Sequence, residues 1–482
     1  MTEKPIIVWF RRDLRLADHA ALSAAVETGA PVLPIFVLDD GAAGKWRAGA
    51  ASRWWLHHSL AALMSSIEAL GGKLVLRRGD AADVLAALAH ETGAAAVYCS
   101  RGHEPFAQQV ERDARAKLGA SDVELKRFAG TLLHEPDHLK TQAGGPFKVY
   151  TPFWRALRSG IKVARALPVP ARIPPPRKVP KSERLEAWEL LPEKPDWAGG
   201  LREAWTAGEA GAQERLSDFL SDGLANYADE RNRPDREGTS RLSPHLAFGE
   251  ISPRQCWLQA GHFASRHPHA DNGHETFLKE LAWREFSAHL LFHWPSLPDE
   301  PFRPEFADFP WRKSTRHLKA WQRGLTGYPI VDAGMRELWT TGWMHNRVRM
   351  IVASFLIKDL MLPWQEGEAW FWDTLVDADL ANNAASWQWV AGSGADAAPY
   401  FRIFNPVTQG EKFDPDGDYV RHWVPELAKL PAKAIHAPWL AAAEVLAAAG
   451  VRIGSTYPAP IVDHAEARAV ALAAFKGLKD KP

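Results

Sequence analysis

IIVWFRRDLRLADHAALSAAVETGAPVLPIFVL, residues 6–38, reads as a strand, an amphipathic stretch and a second strand. IIVWF (from Ile6) and PVLPIFVL (from Pro31) are short β-rich runs, and Ala20–Thr28 between them has a helical pattern. The alternation continues outward through KLVLRRG (from Lys73), AAVYCS (from Ala95) and VELKRFAG (from Val123), separated by helical patterns over Ala51–Leu70, Ala81–Glu91 and Pro105–Leu118. Such alternation predicts a parallel sheet covered on both faces, a Rossmann-like α/β domain over residues 1–135. The last run has no assigned place in that sheet. No GxGxxG follows the first strand, which disfavours a standard dinucleotide site there.

Residues 136–200 change character. Pro168, Pro170, Pro174, Pro175, Pro176 and Pro180 crowd together with Arg and Lys, a run that cannot be helix interior or central strand. The stretch reads as a long interdomain connector over the surface. Beyond Leu201 the apolar period is 3.6, in Ala212–Tyr227, His274–Phe292, Val331–Trp339, Trp343–Met361 and Pro438–Ala449. Residues 201–482 are therefore expected to form an all-α domain. Ser243-Pro244 and Ser252-Pro253 have the form of an N-cap serine with proline at the first helical position.

Apolar residues are 46% and charged residues 24% of the 482, which excludes wholesale disorder. Lys plus Arg and Asp plus Glu are 58 each. That balance excludes a nonspecific basic coating of nucleic acid and leaves a local basic groove open. Cys99 and Cys256 form no CxxC, which argues against a disulfide scaffold, a cysteine zinc site and an iron–sulfur centre. The histidines have neither an HExxH spacing nor a Ser–His–Asp arrangement. No apolar run approaches ~20 residues and no signal-peptide core opens the chain, so the cytoplasm is the expected compartment. The 22 Trp are unusual, and eleven lie between Trp283 and Trp389. A core can be built without indole N–H groups to satisfy, so the cluster points to function.

Several groups of residues could carry chemistry. Gly238-Thr239-Ser240-Arg241-Leu242-Ser243-Pro244 sets three hydroxyls and an Arg at a predicted helix start, a phosphate cradle or an ordinary capped helix. Glu280, Trp283, Arg284 and Ser287 share a helical face. They suit a flat, hydrogen-bonding, partly anionic ligand, or an exposed face with a Glu280–Arg284 pair. Asn346, Arg349 and Met350 share a side of the next helix, and a buried Arg349 would need Asp377 or Asp379. Asp379 and Asn383 lie one turn apart. Trp387 and Trp389 then point roughly 200° apart, one inward and one to a surface cavity, or both as packing aromatics.

Taken together, these residues resemble the photolyase/cryptochrome family. The likeness is carried, in the family's order, by IIVWFRRDLRLADHAAL (from Ile6), FKVYTPFWRAL (from Phe147), GTSRLSPHLAFGEISPRQ (from Gly238), FLKELAWREF (from Phe277), TGYPIVDAGMRELWTTGWMHNRVRM (from Thr326), DADLANNAASWQWVAGSGADAAPYFRIFNP (from Asp377) and TQGEKFDPDGDYV (from Thr408). It implies an N-terminal α/β domain and a helical domain holding a U-shaped FAD. Tyr227 and Thr239, Ser240, Arg241, Leu242 and Ser243 would meet the FAD phosphates and ribityl, with Arg284 a further contact. Asp377, Ala378 and Asp379 would meet the flavin, Arg349 would pair near Asp377, and Asn383 would face flavin N5. Phe277 stands where some relatives carry Trp. Glu280, Trp283, Asn346, Met350 and Trp389 match the family's pocket for a flipped-out cyclobutane pyrimidine dimer. Arg231, Arg347, Arg402 and Lys412 are candidates for the flanking phosphates. The implied reaction is light-driven: excited FADH⁻ passes one electron to the dimer, the cyclobutane bonds split and the electron returns. Glu280 would hydrogen-bond the dimer carbonyl, and Trp387, Trp364 and Trp311 match the relay that photoreduces oxidised flavin.

Asn346 and Met350, where (6-4) photoproduct-repairing relatives carry His, favour cyclobutane dimers. Asn383, where plant-type cryptochromes carry Asp, favours repair, because an amide does not readily protonate flavin N5. The ending GLKDKP, without a long signalling tail, agrees. The alternative is a cryptochrome-type blue-light photoreceptor without repair activity. A generic flavin oxidoreductase would leave Trp283 and Trp389 without a purpose. The resemblance also implies an antenna chromophore against the N-terminal domain. Arg101-Gly102-His103-Glu104 departs from the Asn-Glu pair of one folate-binding pattern, whereas GKWRAGAASRWWLHHSL (from Gly44) is similar to a subgroup that binds methenyltetrahydrofolate differently. Methenyltetrahydrofolate is thus favoured over a deazaflavin or an empty site. UV-damaged DNA is the expected partner, with no membrane and no obligate protein partner, and a monomer keeps the DNA cavity open.

Overall fold

A computed structural model describes residues 4–397 and 401–479. Five strands, β1 (Ile6–Phe10), β2 (Val32–Leu38), β3 (Val75–Arg78), β4 (Ala96–Ser100) and β5 (Glu124–Phe128), form one parallel sheet in the order β3-β2-β1-β4-β5. The period of two along β1 divides the core. Ile7 and Trp9 pack with the helices Ala81–Thr92 and Pro105–Gly119, and Ile6, Val8 and Phe10 pack with Ala20–Glu27 and Ala50–Ala69. Pro34 is tolerated inside β2 because the ladder to β3 begins only at Ile35. The run without an assigned place is β5, an edge strand in which Glu124 and Lys126 turn to water and Leu125 inward. Charged residues suit an edge and obscure its apolar signal.

Within residues 136–200 the chain first forms a helix, Tyr150–Gly160, whose Phe153 and Leu157 are buried in the helical core. The proline-rich part that follows is anchored to the sheet domain. Asp18 N–H donates to Leu167 C=O, Ile173 to Leu70, Val32 to Pro174 and Glu183 to Leu76.

The rest is helical, with breaks that the period did not foresee. The helices Glu209–Asp218 and Asn346–Ser354 each run into a π-helical turn, Phe219–Gly223 and Phe355–Asp359. Such a turn re-aims the side chains after it while preserving an apolar pattern. Pro438–Ala449 divides into a 3₁₀ turn, Pro438–Leu440, and the helix Ala443–Ala449. Ser252 closes a capping box with Gln255. Ser243 does not cap: it is already helical, Leu242 holds the cap position, and its hydroxyl accepts from the Trp343 indole at 3.2 Å. The Asp271–His293 helix lies at the centre, packed on the helices Leu380–Ala391, Tyr227–Glu230 and Tyr150–Gly160. Among the described residues no helix is long and apolar enough to cross a membrane.

Candidate functional site: one cavity shared by two residue sets

A cavity of about 600 Å³ opens in the helical domain, within the size range of small-molecule and cofactor sites. Glu280, Trp283, Arg284 and Ser287 line it together, as their common face predicts. The alternative Glu280–Arg284 pair does not form. Glu280 meets Arg231 at 2.7 Å, while Arg284 donates to the Thr131 carbonyl at 3.2 Å and touches Glu285 at 3.4 Å. Removal from water raises the Glu280 pKa, and Arg231 opposes that rise.

Asn346, Arg349 and Met350 come to the same cavity from the Asn346–Ser354 helix. Arg349 grips Asp377 with two hydrogen bonds, 3.2 and 2.7 Å. Asp379 is unavailable for that pairing because it caps the helix Leu380–Ala391, accepting from the Asn382 amide at 2.9 Å. Asp377, Ala378, Asp379 and Asn383 all line the cavity, and the Asn383 Nδ2 donates to the Glu368 carbonyl at 3.0 Å. Both Trp387 and Trp389 line it, the first buried and the second half-buried. Trp387 packs on the Trp364–Thr374 helix at Gly367, where a Cβ has no room. Rings beside it are Phe371 at 5.0 Å and Trp321 at 6.3 Å. Trp364 is buried in the same core and Trp311 is half-buried beside Phe309 at 4.4 Å, both outside the cavity lining.

The loop before the Ser243–Phe248 helix contributes in part. Ser240, Leu242 and Ser243 line the cavity with Tyr227 and Phe277, and Thr239 and Arg241 do not. Arg241 has φ 49° and sends its guanidinium between the Trp205 and Trp343 rings, 4.7 and 4.9 Å away. Arg231 and Arg347 line the cavity, and Asn232 holds Arg347 at 2.7 Å. Arg402 and Lys412 are exposed outside it. Asn232, Asp396 and Tyr150 belong to the site or its support, and no spacing in the sequence marks them. Tyr150 lies inside FKVYTPFWRAL (from Phe147), but no spacing links it to residue 283.

Hydroxyls with a guanidinium suit a diphosphate, and carboxylates with an amide suit the polar edge of a heteroaromatic ring. The donor set thus fits FAD.

A second cavity, of about 930 Å³, includes Lys45, Trp46, Arg47, Arg53, Glu368 and Trp372. The Trp46 and Trp372 rings meet edge-on, 5.5 Å apart at 81°. Glu368 is buried, its Oε1 has no partner, and burial raises its pKa to about 9. Its carbonyl holds Asn383, so this one residue adjoins both cavities.

Comparison with known proteins adds to this geometry. The description "DNA photolyase" matches residues 6–175, and "FAD binding domain of DNA photolyase" matches residues 277–477. The Deoxyribodipyrimidine photo-lyase of Agrobacterium fabrum is 54% identical over 475 residues, 98% of each chain. The chain belongs to the DNA photolyase family. Cryptochrome-1 of Arabidopsis thaliana is 40% identical over 96% of this chain and 69% of its own. A solved bacterial class III photolyase from Agrobacterium tumefaciens superposes with a TM-score of 0.96 at 53% identity, covering 100% of this chain and 99% of its own. In this photolyase-family chain the FAD-binding match takes in the cavity residues from Phe277 to Asp396, and those from Tyr227 to Ala247 lie upstream of it.

Proposed function

We propose that the chain is a deoxyribodipyrimidine photo-lyase that splits cyclobutane pyrimidine dimers in DNA in the light, with FAD in the helical cavity. One observation carries the reading: the residues expected to meet the lesion and those expected to meet the flavin ring line one continuous space. When bound and reduced, FAD supplies the light-excited electron that the lesion takes up and gives back. The chain's own residues position both partners. Ser240 and Ser243 offer hydroxyls to the diphosphate and ribityl, joined by Tyr227, Leu242 and Arg284, with Thr239 and Arg241 flanking them in the loop. Arg349 fixes the Asp377 carboxylate, and Asp379 is held by its own cap, so both present oriented acceptors. Asn383 presents an amide at the ring edge and supplies no proton there.

Trp283 and Trp389 give the flipped bases flat apolar walls, and Met350 adapts to their outline. Glu280 and Asn346 line the cavity together, and Glu280 in its protonated form would donate a hydrogen bond to a dimer carbonyl. Arg231 and Arg347 at the cavity, with Arg402 and Lys412 outside it, would hold flanking phosphates. Trp387, Trp364 and Trp311 are the proposed relay to the surface. The second cavity is the proposed antenna site for methenyltetrahydrofolate: Trp46 and Trp372 meet the ring, the Glu368 carboxyl its polar edge, and Lys45, Arg47 and Arg53 the glutamate carboxylates. The enzyme would act on chromosomal DNA in the cytoplasm as a monomer.

The name of the Agrobacterium relative and its near-complete overlap support the reading. The likeness to an Arabidopsis cryptochrome favours a photoreceptor as the second reading, and the same experiment separates them. Protein with bound, reduced FAD is given an oligonucleotide containing one thymine dimer under blue light. Restored thymines support repair, and dimers that persist overturn it.

A further inference from the structure

Trp283 does not stand alone. The Tyr150 ring lies on it with centroids 3.6 Å apart and planes 4° from parallel. Trp283 lines the cavity and Tyr150 does not, so Tyr150 covers the indole face turned away from the ligand space. Phe286 closes the slab at the edge, meeting both rings at 5.9 Å and 73°. Tyr150 is in turn held at both ends. Its hydroxyl donates to the Lys279 carbonyl at 2.6 Å, one turn before Trp283 on the same helix. Its backbone amide donates to the Asp396 carboxylate at 3.2 Å, and Asp396 itself lines the cavity. Tyr150 also opens the Tyr150–Gly160 helix, whose Phe153 and Leu157 are buried and hold its backbone in place.

We propose that Tyr150 is a positioning residue for lesion recognition: it clamps the Trp283 indole as a rigid flat wall and ties that wall to the Asp396 rim. This rests on the reading of the cavity as a dimer pocket. A lone half-buried indole can rock and lose the flush contact on which base stacking depends, and a second ring against its back removes that freedom. Pre-ordering the wall lowers the ordering cost of binding, and undamaged duplex, whose bases stay stacked, does not profit from it. The residue touches neither substrate nor cofactor and acts through Trp283.

The test compares Tyr150→Met, which fills the volume without a plane, with Tyr150→Phe, which keeps the plane and loses the hydroxyl. Dissociation constants are measured in the dark for an oligonucleotide with one thymine dimer and for its undamaged counterpart, alongside FAD content and Tm. Tyr150→Met should weaken dimer binding about fivefold and leave undamaged binding and FAD content unchanged, and Tyr150→Phe should restore most of the affinity. In a Trp283→Ala background the Met substitution should cost nothing further, a coupling that a merely structural role would not produce. Should Tyr150→Met fail to accumulate with flavin, Tyr150→Leu is carried through the same cycle. An unchanged dimer preference, or additive losses in the double variant, would overturn the proposal. Parent protein that shows no dimer preference sinks the pocket reading instead, so the two failures are distinct.

Discussion

Glu280 serves two neighbours at once. Loss of water raises its proton affinity and the adjacent Arg231 at 2.7 Å lowers it, so the charge on the carboxyl depends on both the cavity and that partner. Glu280→Ala removes the donor and leaves Arg231 without its carboxylate. Dimer splitting per absorbed photon should fall about tenfold at unchanged FAD content, measured by actinometry on a dimer-containing oligonucleotide. Glu368 has a different signature. Burial holds its proton to about pH 9, while the unfolded chain releases it in the ordinary carboxylate range. Between those values the folded state carries the extra proton, so its contribution to stability is complete in acid and is lost as the pH rises toward 9. Glu368→Gln removes that slope. The Tm advantage of the variant should be near zero at pH 4 and grow to ~2–4 °C at pH 8, read by differential scanning calorimetry.

At the scale of the elements, apolar period identified where helices are and not where they turn. Asp271–His293 and Pro329–Thr341 extend their expected cores by one to three residues at each end, whereas the two π-helical turns and the split at Pro438–Leu440 left no trace in the pattern. A π turn inserts a residue without changing residue type, so composition cannot mark it. β5 was illegible for the opposite reason: its edge position permits charge where a central strand requires apolar side chains. Ser243 has the residue type of a cap, yet the Trp343 indole claims its hydroxyl. Close approach of elements is equally specific. Gly367 lets the Trp364–Thr374 helix rest directly on Trp387. Gly367→Ala should destabilise by ~1–3 kcal/mol in urea unfolding and move the Trp387 emission, because neither ring nor helix backbone has space to yield.

Over the whole molecule a net charge of zero conceals a local arrangement of cations. Arg231 and Arg347 sit at the cavity, and Lys412 is exposed beyond it. Lys412→Ala should reduce the slope of log affinity against log salt by ~0.9 on duplex DNA and leave the preference for damaged over undamaged sequence intact, measured by anisotropy titration.

Local pattern by itself determined the strand–helix alternation of the first domain, the helical character of the second and the residues that share each helical face. These depend on side-chain period and backbone propensity, which act between near neighbours along the chain. Folding in three dimensions decided the rest: that Arg349 takes Asp377 while Asp379 caps a helix, that Glu280 turns to Arg231, that Arg241 withdraws between two indoles and that Tyr150 backs Trp283. Each is a choice among several partners of suitable chemistry, and only the packing of distant elements brings one of them within reach.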